Sequence, residues 1–198
     1  MGDFATKRRH KERIRYRDVR EINTLCIHHS ASKGGSIELF RKEHKARGWA
    51  DIGYHAVIGN GVGMPDGHIG EGRPAEQVGA AVYGANTGKL HVCVVGNFHK
   101  DDAGYTGKPT KQQMYSLGYW LCISEQRYGK PSHPLSIGVH KDVALKTHPT
   151  ACPGSEFPTE LIYKWWHDFG CHYASGREVP NLAGFLDDHG YWDTQNLP

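Results

Sequence analysis

The sequence predicts an α/β domain with a central β-sheet covered by helices. Strand-like runs, alternating or β-branched, recur at 22–28, 54–58, 90–95 and 136–139. Helix-start signals fall between and after them. At 198 residues, 38% hydrophobic and 23% charged, the chain suits one domain with a buried core.

The elements follow in order. Residues 22–28 alternate apolar and polar positions before a short β-branched run, which reads as the first strand. Ser36 can cap a helix reaching Arg47, with Gly48 as its stop. After the runs at 54–58 and 90–95, Thr110 and Gln113 form a capping box ahead of Met114, Leu117 and Leu121 on one helical face. Residues 136–139 make a brief strand. A third helix begins near Pro158 and Thr159 and carries Leu161, Ile162, Trp165 and Trp166 before Gly170, a spacing that makes both tryptophans core residues. The glycine-rich turns at 59–67 and 84–88 lack the pattern of a phosphate-binding loop, so no nucleotide site is expected.

Three segments are expected: a basic arm at 1–21, a main domain at 22–173, and a tail at 174–198 that packs on the domain or extends it. The tail carries Phe185, Tyr191 and Trp192 but is too short for a second domain. Eight Lys/Arg against three Asp/Glu in the first twenty residues exceed the net charge of +3 for the whole chain, so the remainder is slightly acidic. Such an arm is attracted to anionic polymers, but Phe4 and Tyr16 are its only aromatics, and no specific nucleic-acid binding is expected. It reads as a solvated, partly helical extension. No apolar run approaches the ~18 residues of a membrane span. The polar N-terminus lacks the apolar centre of a secretory signal, so the expected location is the cytoplasm of the producing cell.

Five cysteines, Cys26, Cys93, Cys122, Cys152 and Cys171, form neither a CxxC pair nor a dense disulfide framework. Cys26, Cys93 and Cys122 lie in apolar segments and read as small core residues. Cys152 differs, because it follows the run His140-Lys141-Asp142-Val143 closely and sits in Thr150-Ala151-Cys152-Pro153-Gly154. With the strand-like Leu25-Cys26-Ile27-His28-His29-Ser30, these segments supply imidazoles and a thiolate. Two imidazoles and one thiolate suit a tetrahedral Zn²⁺ that keeps its fourth position for water, which points to a zinc hydrolase. With fourteen histidines, chance pairing is the competing explanation.

The surrounding motifs decide between them. Ile27-His28-His29-Ser30-Ala31-Ser32, Arg47-Gly48-Trp49-Ala50-Asp51-Ile52-Gly53-Tyr54-His55, Glu71-Gly72-Arg73-Pro74, Val94-Val95-Gly96-Asn97-Phe98 and Thr150-Ala151-Cys152-Pro153-Gly154 occur in that order. Over 22–169 the chain resembles the zinc-dependent N-acetylmuramoyl-L-alanine amidases of the type 2 amidase and peptidoglycan-recognition-protein superfamily. Its compact size, missing secretion signal and basic arm resemble the bacteriophage endolysins within it. The resemblance implies a mixed sheet with flanking helices, zinc in a surface groove, and bacterial peptidoglycan as substrate.

Carried over by position, the resemblance makes His28, His140 and Cys152 the zinc ligands, with Tyr54 and Thr150 as catalytic partners. His29 alternates to the opposite face of its strand and reads as a hydrogen-bonded neighbour. His55 is expected beside the site or against the substrate rather than as a fourth ligand. The interval between His140 and Cys152 is longer than in commoner members, so Lys146 and His148 can enter the groove. Ala81 replaces a frequent histidine, and Cys93 stands where some relatives have an acidic residue. The expected reaction is hydrolysis of the amide between N-acetylmuramic acid and L-alanine, for host lysis, by a monomer that reaches the wall without its own signal. A non-catalytic recognition module and an intracellular muropeptide-recycling amidase are the alternatives.

Overall fold

The computed structural model of the chain describes residues 12–169 and 180–193. Its centre is a mixed five-stranded sheet of β1 (Thr24–His29), β2 (Ala56–Ile58), β3 (Ile69–Glu71), β4 (Lys89–Val94) and β5 (Ser136–Val139). The spatial order is β3-β2-β4-β1-β5. All pairs are parallel except β2 with β3. β1 lies inside the sheet with both faces covered, which is why Leu25, Cys26 and Ile27 are all fully buried in succession.

Each face has its own helices. On one side α1 (Ile37–Ala46), capped by the Ser36 side chain, packs Ile37 and Phe40 against Ile52, Val57, Cys93 and Val95. On the other, α2 (Lys111–Tyr128) and α4 (Thr159–Phe169) cover Ile27, Val92 and Val94 with Met114, Leu117, Leu121, Ile162 and Trp165. The Thr110–Gln113 capping box forms, and the same Gln113 donates to the Val95 carbonyl at 2.8 Å, pinning the start of α2 to the end of β4. A short α3 (His140–Val143) follows β5 directly.

The sequence reading did not foresee β3, the short α3 or α5. β3 contributes only Ile69 as a sizeable apolar residue and exists as an antiparallel edge because the chain doubles back onto β2. The tail forms α5 (Leu182–Asp188), capped by Asn181, whose Leu182 and Leu186 are fully buried. Gly118 on α2 admits it, since a Cβ there would lie 2.7 Å from Leu182 Cβ. The strand expected at 54–58 begins only at Ala56, leaving Tyr54 and His55 in the segment before it. Residues 174–179 and Cys171 lie outside the described residues.

The expectation of a solvated arm fails for the described part of 1–21. The buried Arg73 guanidinium binds the Glu12 carboxylate at 3.1 Å. Arg17 is buried and donates to the carbonyls of Ala75 and Lys89, both at 2.8 Å. The guanidinium donors satisfy one carbonyl in the loop after β3 and one at the start of β4, so the described part of the segment is stitched to the domain rather than solvated.

Candidate metal centre

Strand register builds the floor of the site. Parallel pairing sets Cys26 opposite His91 and His28 opposite Cys93. Alternation along each strand turns these four side chains to one face. His28, 1% exposed, has the His140 ring at 4.6 Å between centroids and the Tyr54 ring at 5.5 Å. His29 turns to the other face, where its ring lies 6.0 Å from Phe98 and hydrogen-bonds to the Pro153 carbonyl. Its backbone N–H still reaches the site, donating to Cys152 Sγ at 3.3 Å.

The other donors come from the end of the sheet. His140 is the first residue of α3, at the junction with β5, and its burial lowers its pKa. In the next loop, Thr150 Oγ1 accepts the Cys152 N–H at 3.2 Å, so the threonine shapes the turn that presents the thiol. Candidate ligand atoms of His28, His140 and Cys152 all lie within 4.8 Å of one another. Burial holds both imidazoles toward their neutral, ligand-competent form and pushes the Cys152 thiol up to about 12, against the opposing pull of the His29 N–H. A thiolate here therefore calls for a nearby dication, and the donor set fits one.

A second cluster shares His28. Cys26 Sγ lies 3.2 Å and His91 Nδ1 3.1 Å from His28 Nε2, and potential ligand atoms of these three residues lie within 4.8 Å of one another. Cys26 is fully buried as expected, yet it touches a candidate ligand, a contact visible only once the strands are in register.

Tyr54 sits over this floor. Burial raises its pKa well above the usual phenol value, and its hydroxyl hydrogen-bonds with Cys93, so it remains a neutral donor. His44, which the sequence reading passed over, supports it from α1. Its Nδ1 accepts the Gly53 N–H at 3.0 Å, and its ring packs on Trp49 at 4.4 Å and on Tyr54 at 5.5 Å.

His55 does not fit a substrate contact. It is buried, its Nδ1 accepts the His91 backbone N–H at 2.9 Å, and its Nε2 lies 2.9 Å from the Gln77 carbonyl, to which it donates. Both nitrogens are occupied, and the ring stacks on His91 at 5.6 Å. Its place is behind the floor.

Next to the site, reached through His140 and Thr150, lies a cleft of about 660 Å³ lined also by Trp49, Ala81, Tyr83 and His148, with Arg13, Arg15 and Arg47 on its walls. The longer loop thus delivers His148, whose ring stacks on the exposed Tyr83 at 4.1 Å. Lys146 is exposed and is not among the lining residues, so the expectation that it enters the groove is not met.

Residues 18–155 match the family model described as N-acetylmuramoyl-L-alanine amidase, and the chain belongs to that family. Its activity is hydrolysis of the amide that joins the N-acetylmuramoyl group to L-alanine. The endolysin of Escherichia phage T7 is 29% identical over 158 residues, 78% of this chain and 91% of the relative. That of Enterobacteria phage K11 is 33% identical over 148 residues, 71% of this chain and 86% of the relative. Among solved structures, the N-acetylmuramoyl-L-alanine amidase LysC from Clostridium intestinale superposes with a TM-score of 0.63 at 28% identity, over 79% of this chain and 91% of that one.

Proposed function

We propose that His28, His140 and Cys152 hold Zn²⁺ and that the cleft beside them takes the lactyl–alanine junction of peptidoglycan, for phage-induced lysis of the host. The observation that carries this is the convergence of two neutral imidazoles and one thiol, one of which, His140, also lines the neighbouring cleft. When bound, the cation supplies a Lewis acid and lowers the pKa of water at its open position.

The chain's own residues do the rest. Tyr54, held neutral by burial, donates a hydrogen bond from its hydroxyl to the oxygen that gains charge as the lactyl carbonyl becomes tetrahedral. Thr150 fixes the Cys152 turn through its hydroxyl and contributes to the cleft wall. Water adds its oxygen to the lactyl carbonyl carbon, the C–N bond to L-alanine breaks, and the proton given up by that water ends on the leaving amine. Tyr83 and His148 present a flat aromatic face beside the reacting centre, suited to a sugar ring, and Arg13, Arg15 and Arg47 suit the carboxylates of the peptide stem. All three metal donors come from one chain, which suits a monomer.

The phage endolysin relatives support synthesis in the host cytoplasm and action at the wall. Among the described residues no helix is long and apolar enough to cross a membrane. Mass spectrometry of fragments from digested sacculi tests the function. New lactyl carboxyls and free L-alanine amino termini are expected, lost on chelation and restored by Zn²⁺. New reducing sugars, or binding without release of fragments, would overturn it.

A further inference from the structure

We infer that His91, with Cys26, is a positioning residue that selects which nitrogen of His28 faces the metal. The inference rests on the metal assignment above. A neutral imidazole carries its proton on one nitrogen and offers a lone pair on the other, so a ligand histidine is only as good as the group that holds its second nitrogen. His28 Nε2 is that second nitrogen. It has His91 Nδ1 at 3.1 Å and Cys26 Sγ at 3.2 Å, and the ring is 1% exposed, so water does not compete for it. With the proton on Nε2 and directed at these acceptors, Nδ1 is left for the group formed with His140 and Cys152.

The surroundings of His91 are built to present its Nδ1. Its ring stacks on His55, whose Nδ1 receives the His91 backbone N–H at 2.9 Å. Gly79 leaves the room, because a Cβ there would lie 2.3 Å from His91 Cδ2. Accepting at Nδ1 places the His91 proton on Nε2, and that nitrogen is buried with no hydrogen-bond partner. An unsatisfied buried N–H is costly and uncommon, and orientation of His28 gives it a reason.

Cys26, His28 and His91 could alternatively hold a second cation. Separations of 3.1 and 3.2 Å are ordinary hydrogen-bond distances, and a cation on Nε2 in addition to one on Nδ1 would require His28 to lose both ring protons.

The test compares the full-length protein with His91→Leu, His91→Asn and Cys26→Ala, measuring Zn²⁺ stoichiometry, affinity by chelator competition, and melting of the metal-free form. His91→Leu should weaken Zn²⁺ binding about 10–100-fold, the range for loss of a group that orients a ligand. His91→Asn, whose side-chain carbonyl takes the place of Nδ1 as acceptor, should recover most of it, with Cys26→Ala giving a smaller loss. Unchanged affinity in His91→Leu overturns the inference. So does an equal loss in the Leu and Asn variants that only tracks a lower metal-free melting temperature. Two Zn²⁺ per chain, falling to one in His91→Leu, would replace it with a dinuclear site. A wild-type protein that binds no Zn²⁺ removes the metal assignment itself.

Discussion

Lys141 donates its backbone N–H to the carbonyl of Cys152 at 2.9 Å, so the residue after one candidate ligand is tied to the other. The bond ties α3 to the turn that carries Cys152, and that residue is held twice, at its carbonyl and through the His29 N–H at its sulfur.

Replacing that sulfur tests the donor set. Cys152→Ser should lose most bound Zn²⁺ and nearly all amidase activity, because an alcohol is a much poorer ligand than a thiolate at neutral pH. Metal analysis after gel filtration, alongside turnover, checks this; stoichiometric metal with full activity would exclude Cys152 as a ligand.

Tyr54→Phe keeps the ring packed on His28 and His44 and removes only the hydroxyl. Zinc content should be unchanged while the rate falls about 10²–10³-fold, the usual loss for one donor to a developing oxyanion. A variant that turns over like the wild type would show that the hydroxyl serves only Cys93.

Two truncations separate charge from structure at the N-terminus. Removing residues 1–11, which carry four Lys/Arg against one Asp, should slow digestion of anionic sacculi at low salt, an effect that added salt erases. Removing 1–17 also takes Glu12 from the buried Arg73 and the Arg17 side chain from its carbonyl acceptors. That should cost about 3–5 kcal/mol, the range for stripping a partner from a buried ion. Equal melting temperatures for the two truncations would mean the docked segment contributes nothing to stability.

Glu125 gives a pH-dependent prediction remote from the metal site. It is buried on α2, accepts the Leu135 N–H at 2.8 Å, and burial raises its pKa above the ordinary 4.5, with that bond acting in opposition. A carboxyl raised on folding contributes stability that is fully present below its unfolded pKa and is lost as pH rises through the folded one. Glu125→Gln keeps an acceptor without the charge, so it should melt above the wild type near neutral pH, the gap closing toward pH 4.5. A gap independent of pH would show that the carboxyl does not titrate in this way.

Much of this was legible in the residues. Ser36 and Thr110 announce α1 and α2 because caps are local chemistry, and the spacing of Ile162, Trp165 and Trp166 shows the buried face of α4. The ordered motifs contain His28 and Cys152, the His140-Lys141-Asp142-Val143 run supplies His140, and the fold does bring the three together. His91 was not legible. It lies 63 positions from His28, and only the parallel register of β1 and β4 makes them neighbours. His44 was missed for a related reason, as its position on α1 says nothing of the Gly53 N–H it accepts. Arg17 and Glu12 were read as solvated charge because nothing local reveals that carbonyls and a buried guanidinium await them.

His29 and Cys152 are 123 positions apart, and the bond between them closes the site. β1, made early, lies between β4 and β5, both made later. During synthesis the first strand therefore waits without either neighbour, and the thiol arrives only when most of the domain exists. Such long-range pairing slows folding. The proposed donor set has the same dependence, since His28 and Cys152 meet only after the strands between them have been made.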